Sequence, residues 1–383
     1  MVVDLDAFDR NVRYVVDTVK RAGGRVTIRP ATKSVRVPAL LKRIAAADPI
    51  FQGWMTYSAQ ETRALWRDGL DDFLVAYPTA QPSDLAALRE VSEGGGRVAL
   101  VVDSAEGLRA ASRAMAGAST KLRLVADVDM SLRALGGRVH IGVRRSPLRS
   151  VDDVRRLFAQ AGEMSGVSMV GWMGYDAQLA GLQDASPFHG LMNVAARAVR
   201  ALSRSSVRAK REALSEALAR DGRRVEVANG GGSGSIDHAP LEPWLTEVTA
   251  GSGFMGPHLF DYFRNVGFEA AFFVALQVVR ASDEGYVTCQ GGGYVASGAP
   301  GWDKVPLPWW PEGARLVGAE GTGEVQTPLR VPTSAGVAVG DAVLLRHAKG
   351  GELAERFAEY LLVKEGKVVE RAPTYRGRGW CFG

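Results

Sequence analysis

A chain of 383 residues, 46% of them hydrophobic, is long enough for one large domain plus a smaller one, and apolar enough for a well-packed core. No run of eighteen apolar residues occurs, and the opening Met1-Val2-Val3-Asp4-Leu5-Asp6 is too acidic for a secretory signal, so no membrane partner and a cytoplasmic location are expected. The net charge of +5 raises the possibility of nucleic acid, and the two cysteines, Cys289 and Cys381, fit neither a zinc spacing nor a disulfide framework.

The first periodic segment carries Phe8, Val12, Val15, Val16 and Val19 on one helical face. From there to about residue 256, short β-branched runs alternate with helical patterns, the rhythm of βα units around a parallel sheet. Strands are predicted at 25–29, 53–57, 72–77, 97–103, 121–127, 167–175, 224–229 and 246–251, and eight is the number that closes a barrel. Ser58, Ser83-Asp84, Ser104 and Ser150 read as helix starts, and Gly94-Gly95-Gly96 as a chain reversal. The densest basic stretch, 197–224, also holds Glu212, Glu216 and Asp221 on helical spacing without interleaved aromatics, which favours a solvated helix face over a nucleic-acid partner.

After about residue 260 the rhythm changes to strands and turns at 271–280, 285–289, 314–317, 342–346 and 359–370, the last with a hairpin tip at Glu365-Gly366. The segment 300–312, with Trp302, Trp309 and Trp310, lacks either periodicity and is expected to be an ordered loop, its aromatics covering a partner subunit or serving as loop anchors. The fold class is α/β: a (β/α)8 TIM barrel over residues 8–260, then a β domain.

In such a barrel the loops after the strands converge on one face. After the seventh strand comes Asn229-Gly230-Gly231-Gly232-Ser233-Gly234-Ser235, and after the eighth, Gly251-Ser252-Gly253. Glycines let backbone N–H groups turn on a phosphate and serines add donors, and barrels often bind phosphate at these two loops. Lys33, in Arg29-Pro30-Ala31-Thr32-Lys33-Ser34, follows the first strand on the same face. A partly desolvated lysine amine forms an imine with an aldehyde cofactor, so the pair suggests pyridoxal phosphate, while a phosphosugar aldolase would offer the same two elements.

Together, Val3-Asp4-Leu5-Asp6, the Lys33 segment, Gly174-Tyr175, the Gly231 to Ser235 loop and His347 resemble the fold-type III pyridoxal phosphate enzymes of the D-threonine aldolase and D-serine dehydratase family, whose barrel is related to that of alanine racemase. The resemblance implies that Lys33 is the Schiff-base lysine, that Tyr175 lies near the pyridine ring, and that Gly231, Gly232, Ser233, Gly234, Ser235, Ser252 and Gly253 cradle the phosphate. It further implies a homodimer and a β domain of residues 261–383 completed by residues 1–7. Where the family carries an arginine beside the ring hydroxyl in an Arg-x-Gly-Val stretch, this sequence has His140-Ile141-Gly142-Val143, making His140 the candidate there, or a packed loop histidine. The family's metal pair, His-x-Cys or His-x-Asp, is replaced by His347-Ala348-Lys349. A divalent metal is thereby put in doubt: Glu352 would complete a site around His347, or the Lys349 ammonium would replace the metal's charge.

The expected activity is an aldolase-type lyase for β-hydroxy D-amino acids, with Lys33 and His347 as the catalytic pair and His347 acting near the β-hydroxyl. The alternatives are a dehydratase on the same substrates, a racemase, which needs a second base that the sequence does not identify, and a non-catalytic pyridoxal phosphate binder.

Overall fold

The computed structural model describes residues 1–134, 137–188 and 190–382. Burial on both faces is what makes the eight expected strands: Phe73–Val75 and Val98–Val102 are apolar and buried at every position. The parallel sheet runs Thr27–Pro30, Glu247–Ala250, Val227–Gly230, Val167–Gly174, Leu122–Asp127, Val98–Val102, Phe73–Val75 and Trp54–Thr56. Parallel bridges from Ile28 to Phe51 and from Ala31 to Met55 bring its ends together into a nearly closed barrel. Leu74, Ala76, Ala99, Val101, Val125, Val170, Met173 and Val227 form a small apolar cluster of their own, while the remaining strand side chains join the larger core with the helices. That division follows from the two-residue alternation of a strand.

Caps set the helix starts. The Ser58 and Ser104 hydroxyls accept from the N–H groups of Glu61 and Gly107, and Ser150 and Asp153 form a reciprocal capping box. The helix near Ser83 begins instead at Pro82, because proline at the first position needs no N–H partner. The basic helix Met192–Arg220 departs from the expectation of a purely solvated charged face: Arg200 and Arg211 point inward and are buried. Arg211 pairs with Glu242 at 2.7 Å and lies 3.4 Å from Asp176, while donating to the Gly174 carbonyl at 2.8 Å. A buried guanidinium needs such partners, and removing one would cost roughly 3–5 kcal/mol.

Among the described residues the second sheet has nine strands. Val2–Asp4 lies inside it, antiparallel to Phe272–Ala281 and parallel to Glu359–Lys364. Asp4 then caps the helix Leu5–Arg21 by accepting from Asp6 and Ala7. Glu359–Lys364 and Lys367–Pro373 form the hairpin expected at Glu365-Gly366.

Three short elements escape the sequence pattern. The segment expected as a loop contains the strand Leu307–Trp310, paired with Ala342–Arg346, and Gln326–Arg330 pairs with both Tyr286–Gln290 and Arg315–Leu316. Each holds a proline, Pro308 or Pro328, which argues against a strand from sequence because it removes a ladder donor. The third is a hairpin of Leu132–Ala134 and Val139–Ile141, inserted between the fifth and sixth barrel strands. Among the described residues, no helix is long and apolar enough to cross a membrane.

Candidate active site

The carboxyl ends of the barrel strands surround a cavity of about 160 Å³. Lys33 enters it from a single 3-10 turn, Thr32–Ser34. The turn is fixed on both sides: the Ala31 N–H donates to the Ala250 carbonyl at 2.8 Å, and the Thr32 hydroxyl donates to the Met55 carbonyl at 3.0 Å. Lys33 Nζ donates to the Tyr77 hydroxyl at 2.7 Å.

Opposite stand the two glycine-serine loops. Ser233 Oγ accepts from the N–H groups of Gly251 and Gly253 at 3.0 and 3.1 Å, leaving its own proton available to a ligand. Ser252 Oγ lies 3.1 Å from Ser34 Oγ, which ties the eighth loop to the lysine turn. A Cβ on Gly251 would meet Ser34 Oγ at 2.8 Å, so this close approach requires glycine. The cavity is lined by Lys33, Tyr175, Gly231, Gly232, Ser233, Gly251 and Ser252. Gly234, Ser235 and Gly253 brace this wall from behind: Gly234 abuts the Ala180 carbonyl, Ser235 Oγ accepts from the Gly232 N–H, and Gly253 abuts Phe268.

Tyr77 and Arg145 are polar lining residues that the sequence analysis did not single out. Tyr77 lies just past the third strand, where the strand-end rule would have found it. The Arg145 guanidinium sits 5.9 Å from the Tyr77 ring centre and 5.8 Å from that of Tyr175. Burial and the neighbouring Asp176 push the Tyr175 phenol up to about 12. A second cavity of about 320 Å³ shares these three side chains and adds Asp103, Asp127 and Asp129. There, burial and the nearby Asp103 push Asp127 up to about 7, against the lowering effect of Arg145.

His140 lies in the inserted hairpin. It pairs with Arg133 across the inserted hairpin, and the described residues that line the two cavities do not include it. The arginine that this chain offers to the cavity is Arg145, two residues beyond Gly142-Val143.

His347 follows strand Ala342–Arg346 and is 1% exposed. Its Nδ1 lies 2.7 Å from the Lys349 carbonyl and 3.1 Å from the Lys349 N–H. Burial lowers its pKa, while backbone groups of Lys349 and Tyr294 and the Glu352 carboxylate act in the opposite direction. His347 does not line the cavity among the described residues, yet its loop abuts the lysine turn. A Cβ on Gly351, whose φ is +67°, would meet the Lys33 carbonyl at 2.1 Å.

The alanine racemase N-terminal domain family matches residues 3–257. This chain belongs to that family, the fold-type III pyridoxal phosphate enzymes. A D-threonine aldolase of an Arthrobacter species is 24% identical over 285 residues, 73% of this chain and 67% of that protein. A 3-hydroxy-D-aspartate aldolase of Paracoccus denitrificans (strain Pd 1222) is 23% identical over 253 residues, 66% of this chain and 58% of that protein. Among solved structures, D-threonine aldolase from Filomicrobium marinum superposes with a TM-score of 0.79 at 23% identity, over 98% of this chain and 95% of that one. D-threo-3-hydroxyaspartate dehydratase from Delftia sp. HT23 gives 0.74 at 19% identity, over 97% and 96%, and a variant of a dehydratase of that name is also known in a metal-free form.

The residues present fit the family's cofactor: an amine and a glycine-serine cradle share one cavity. They do not fit a divalent metal. The place two residues after His347 is held by an ammonium, which has no lone pair to give, and no group of three or more His, Cys, Asp or Glu among the described residues is arranged to hold one.

Proposed function

We propose that this chain is a pyridoxal phosphate-dependent lyase that cleaves β-hydroxy D-amino acids between Cα and Cβ, giving a glycine-type product and an aldehyde. The observation that carries the reading is the placement of Lys33 Nζ in the same cavity as Gly231, Gly232, Ser233 and Ser252. The aldolases among the relatives support the choice of reaction.

Bound pyridoxal phosphate supplies the electron sink that accepts the pair left on Cα. Lys33 would hold its aldehyde carbon, the two loops its phosphate, and Tyr175 its ring. Arg145 takes the part the resemblance gave to His140, offering a fixed positive charge to the ring hydroxyl. When the Cα–Cβ bond breaks, the β-hydroxyl loses its proton, the aldehyde leaves, and a proton returns to Cα. Lys33, tethered by the Tyr77 hydroxyl, is the amine placed to serve Cα. His347 is assigned to the β-hydroxyl side and fixes the 347–351 loop through its bonds to Lys349.

The protein acts as a homodimer in this reading. Trp302, Trp309 and Trp310, each about half exposed, offer an apolar surface of the kind that subunits cover.

The test is a panel of D-threonine, D-serine, D-phenylserine and 3-hydroxy-D-aspartate with product identification. Glycine plus aldehyde is expected. Keto acid plus ammonia would convert the reading to a dehydratase, and an unchanged visible spectrum in Lys33→Ala would refute the cofactor assignment.

A further inference from the structure

The loop 347–351 differs from a metal site in the residue two places after His347, where an ammonium stands in place of a ligand. His347 Nδ1 is turned onto the Lys349 main chain, 2.7 Å from its carbonyl oxygen. Lys349 Nζ donates to Ser297 Oγ at 2.7 Å and lies 4.0 Å from Glu352 Oε2. Glu352, the remaining carboxylate on this loop, accepts from the Ser297 N–H at 2.8 Å and from the Ser297 hydroxyl at 3.3 Å. Lys349 and Glu352, the carboxylate that would complete a site beside His347, are thus bound to each other through Ser297.

The path of the loop is tightly set just beyond Lys349. Gly350 lies against the Ser34 carbonyl and Gly351 against that of Lys33, so the main chain just after Lys349 is pressed onto the turn that presents the catalytic amine. The Lys349 side chain is near enough to Lys33 for the two charges to act on one another.

Resting on the lyase reading above, we propose that this chain works without a bound divalent metal, and that the Lys349 ammonium, held by Ser297 and Glu352, supplies the positive charge that faces the substrate's β-oxygen. A hydrogen-bonded ammonium stabilises the negative charge left on that oxygen when its proton is removed, before the Cα–Cβ bond breaks and the electron pair passes to Cα, so no redox partner is required.

Metal content decides the first half independently of activity. The holoenzyme is equilibrated with Mn²⁺ or Zn²⁺, desalted and analysed by plasma mass spectrometry. Expected is far less than one metal per chain and turnover unchanged by EDTA; one metal per chain, lost to EDTA together with turnover, overturns the proposal. Lys349→Cys restores a soft ligand beside His347 and is expected to gain about one Zn²⁺ per chain; failure to gain any refutes the idea that lysine occupies the metal's place. Lys349→Met is expected to lower kcat by roughly tenfold or more with the visible cofactor spectrum intact, and Lys349→Arg to recover part of it; unchanged kcat in Lys349→Met refutes the charge role. If no substrate of the panel turns over, the lyase reading fails, and the metal stoichiometry still decides whether this loop binds a cation.

Discussion

The two walls of the cavity are built on opposite plans. The wall of the seventh and eighth loops is mostly backbone: glycines and serines braced to one another, with Ser233 accepting from two N–H groups. The facing wall is made of long side chains brought from separate places in the chain, namely Lys33, Tyr77, Arg145 and, behind them, the 347–351 loop. Backbone positions a group by folding alone and tolerates little change. Side chains carry the reaction and can be exchanged one at a time.

The contrast breaks most easily on the backbone wall. Gly251→Val would drive a branched side chain against Ser34 and Ala31, at about 1–3 kcal/mol of strain. It is expected to weaken pyridoxal phosphate binding by roughly 10- to 100-fold, read by titrating the visible spectrum, with the melting temperature little changed. Wild-type affinity would show that the wall yields more than its packing implies.

On the side-chain wall, Arg145→Met should leave the cofactor bound and lower kcat about tenfold, the scale of one charge-assisted hydrogen bond. It also removes the cation that opposes the rise of Asp127. That carboxyl should therefore titrate still higher than about 7, a shift measurable by NMR.

A pH-dependent effect lies beneath the lysine turn. Glu61 is fully buried, accepting from the Tyr57 N–H and the Tyr375 hydroxyl, and burial pushes it up to about 7. A carboxyl whose folded pKa exceeds its unfolded one keeps its proton better when folded. Its contribution is therefore most favourable below the unfolded value of 4.5 and is lost as pH rises to about 7. Denaturation at several pH values should show a decline on the order of 3 kcal/mol from this group across that window, at about 1.4 kcal/mol per pH unit, and Glu61→Gln should flatten it.

What the sequence made legible follows the same division. The eight barrel strands declared themselves because buried strands must be apolar, and Lys33 and the glycine-serine loops stood out because they follow strand ends. Tyr77 obeys that rule too, though a tyrosine after a strand carries no chemical signature. Arg145 obeys none: it lies beyond an inserted hairpin, and one arginine among many has no spacing to mark it. His140 drew attention because it stands where the family's Arg-x-Gly-Val stretch begins, and the described residues lining the two cavities do not include it. The strands Leu307–Trp310 and Gln326–Arg330 were hidden by prolines that the partner strands accommodate.

Gly351 gives the side-chain wall an unexpected rigidity. Because it has no room for a side chain against the Lys33 carbonyl, the loop's course and the lysine's turn are locked as one unit, and neither can drift without the other. Diversification in this part of the protein is therefore confined to what projects from a fixed track. Position 349 is such a point, and replacing the one residue there would redirect the enzyme between a metal-assisted and a metal-free way of handling an oxygen without moving the scaffold.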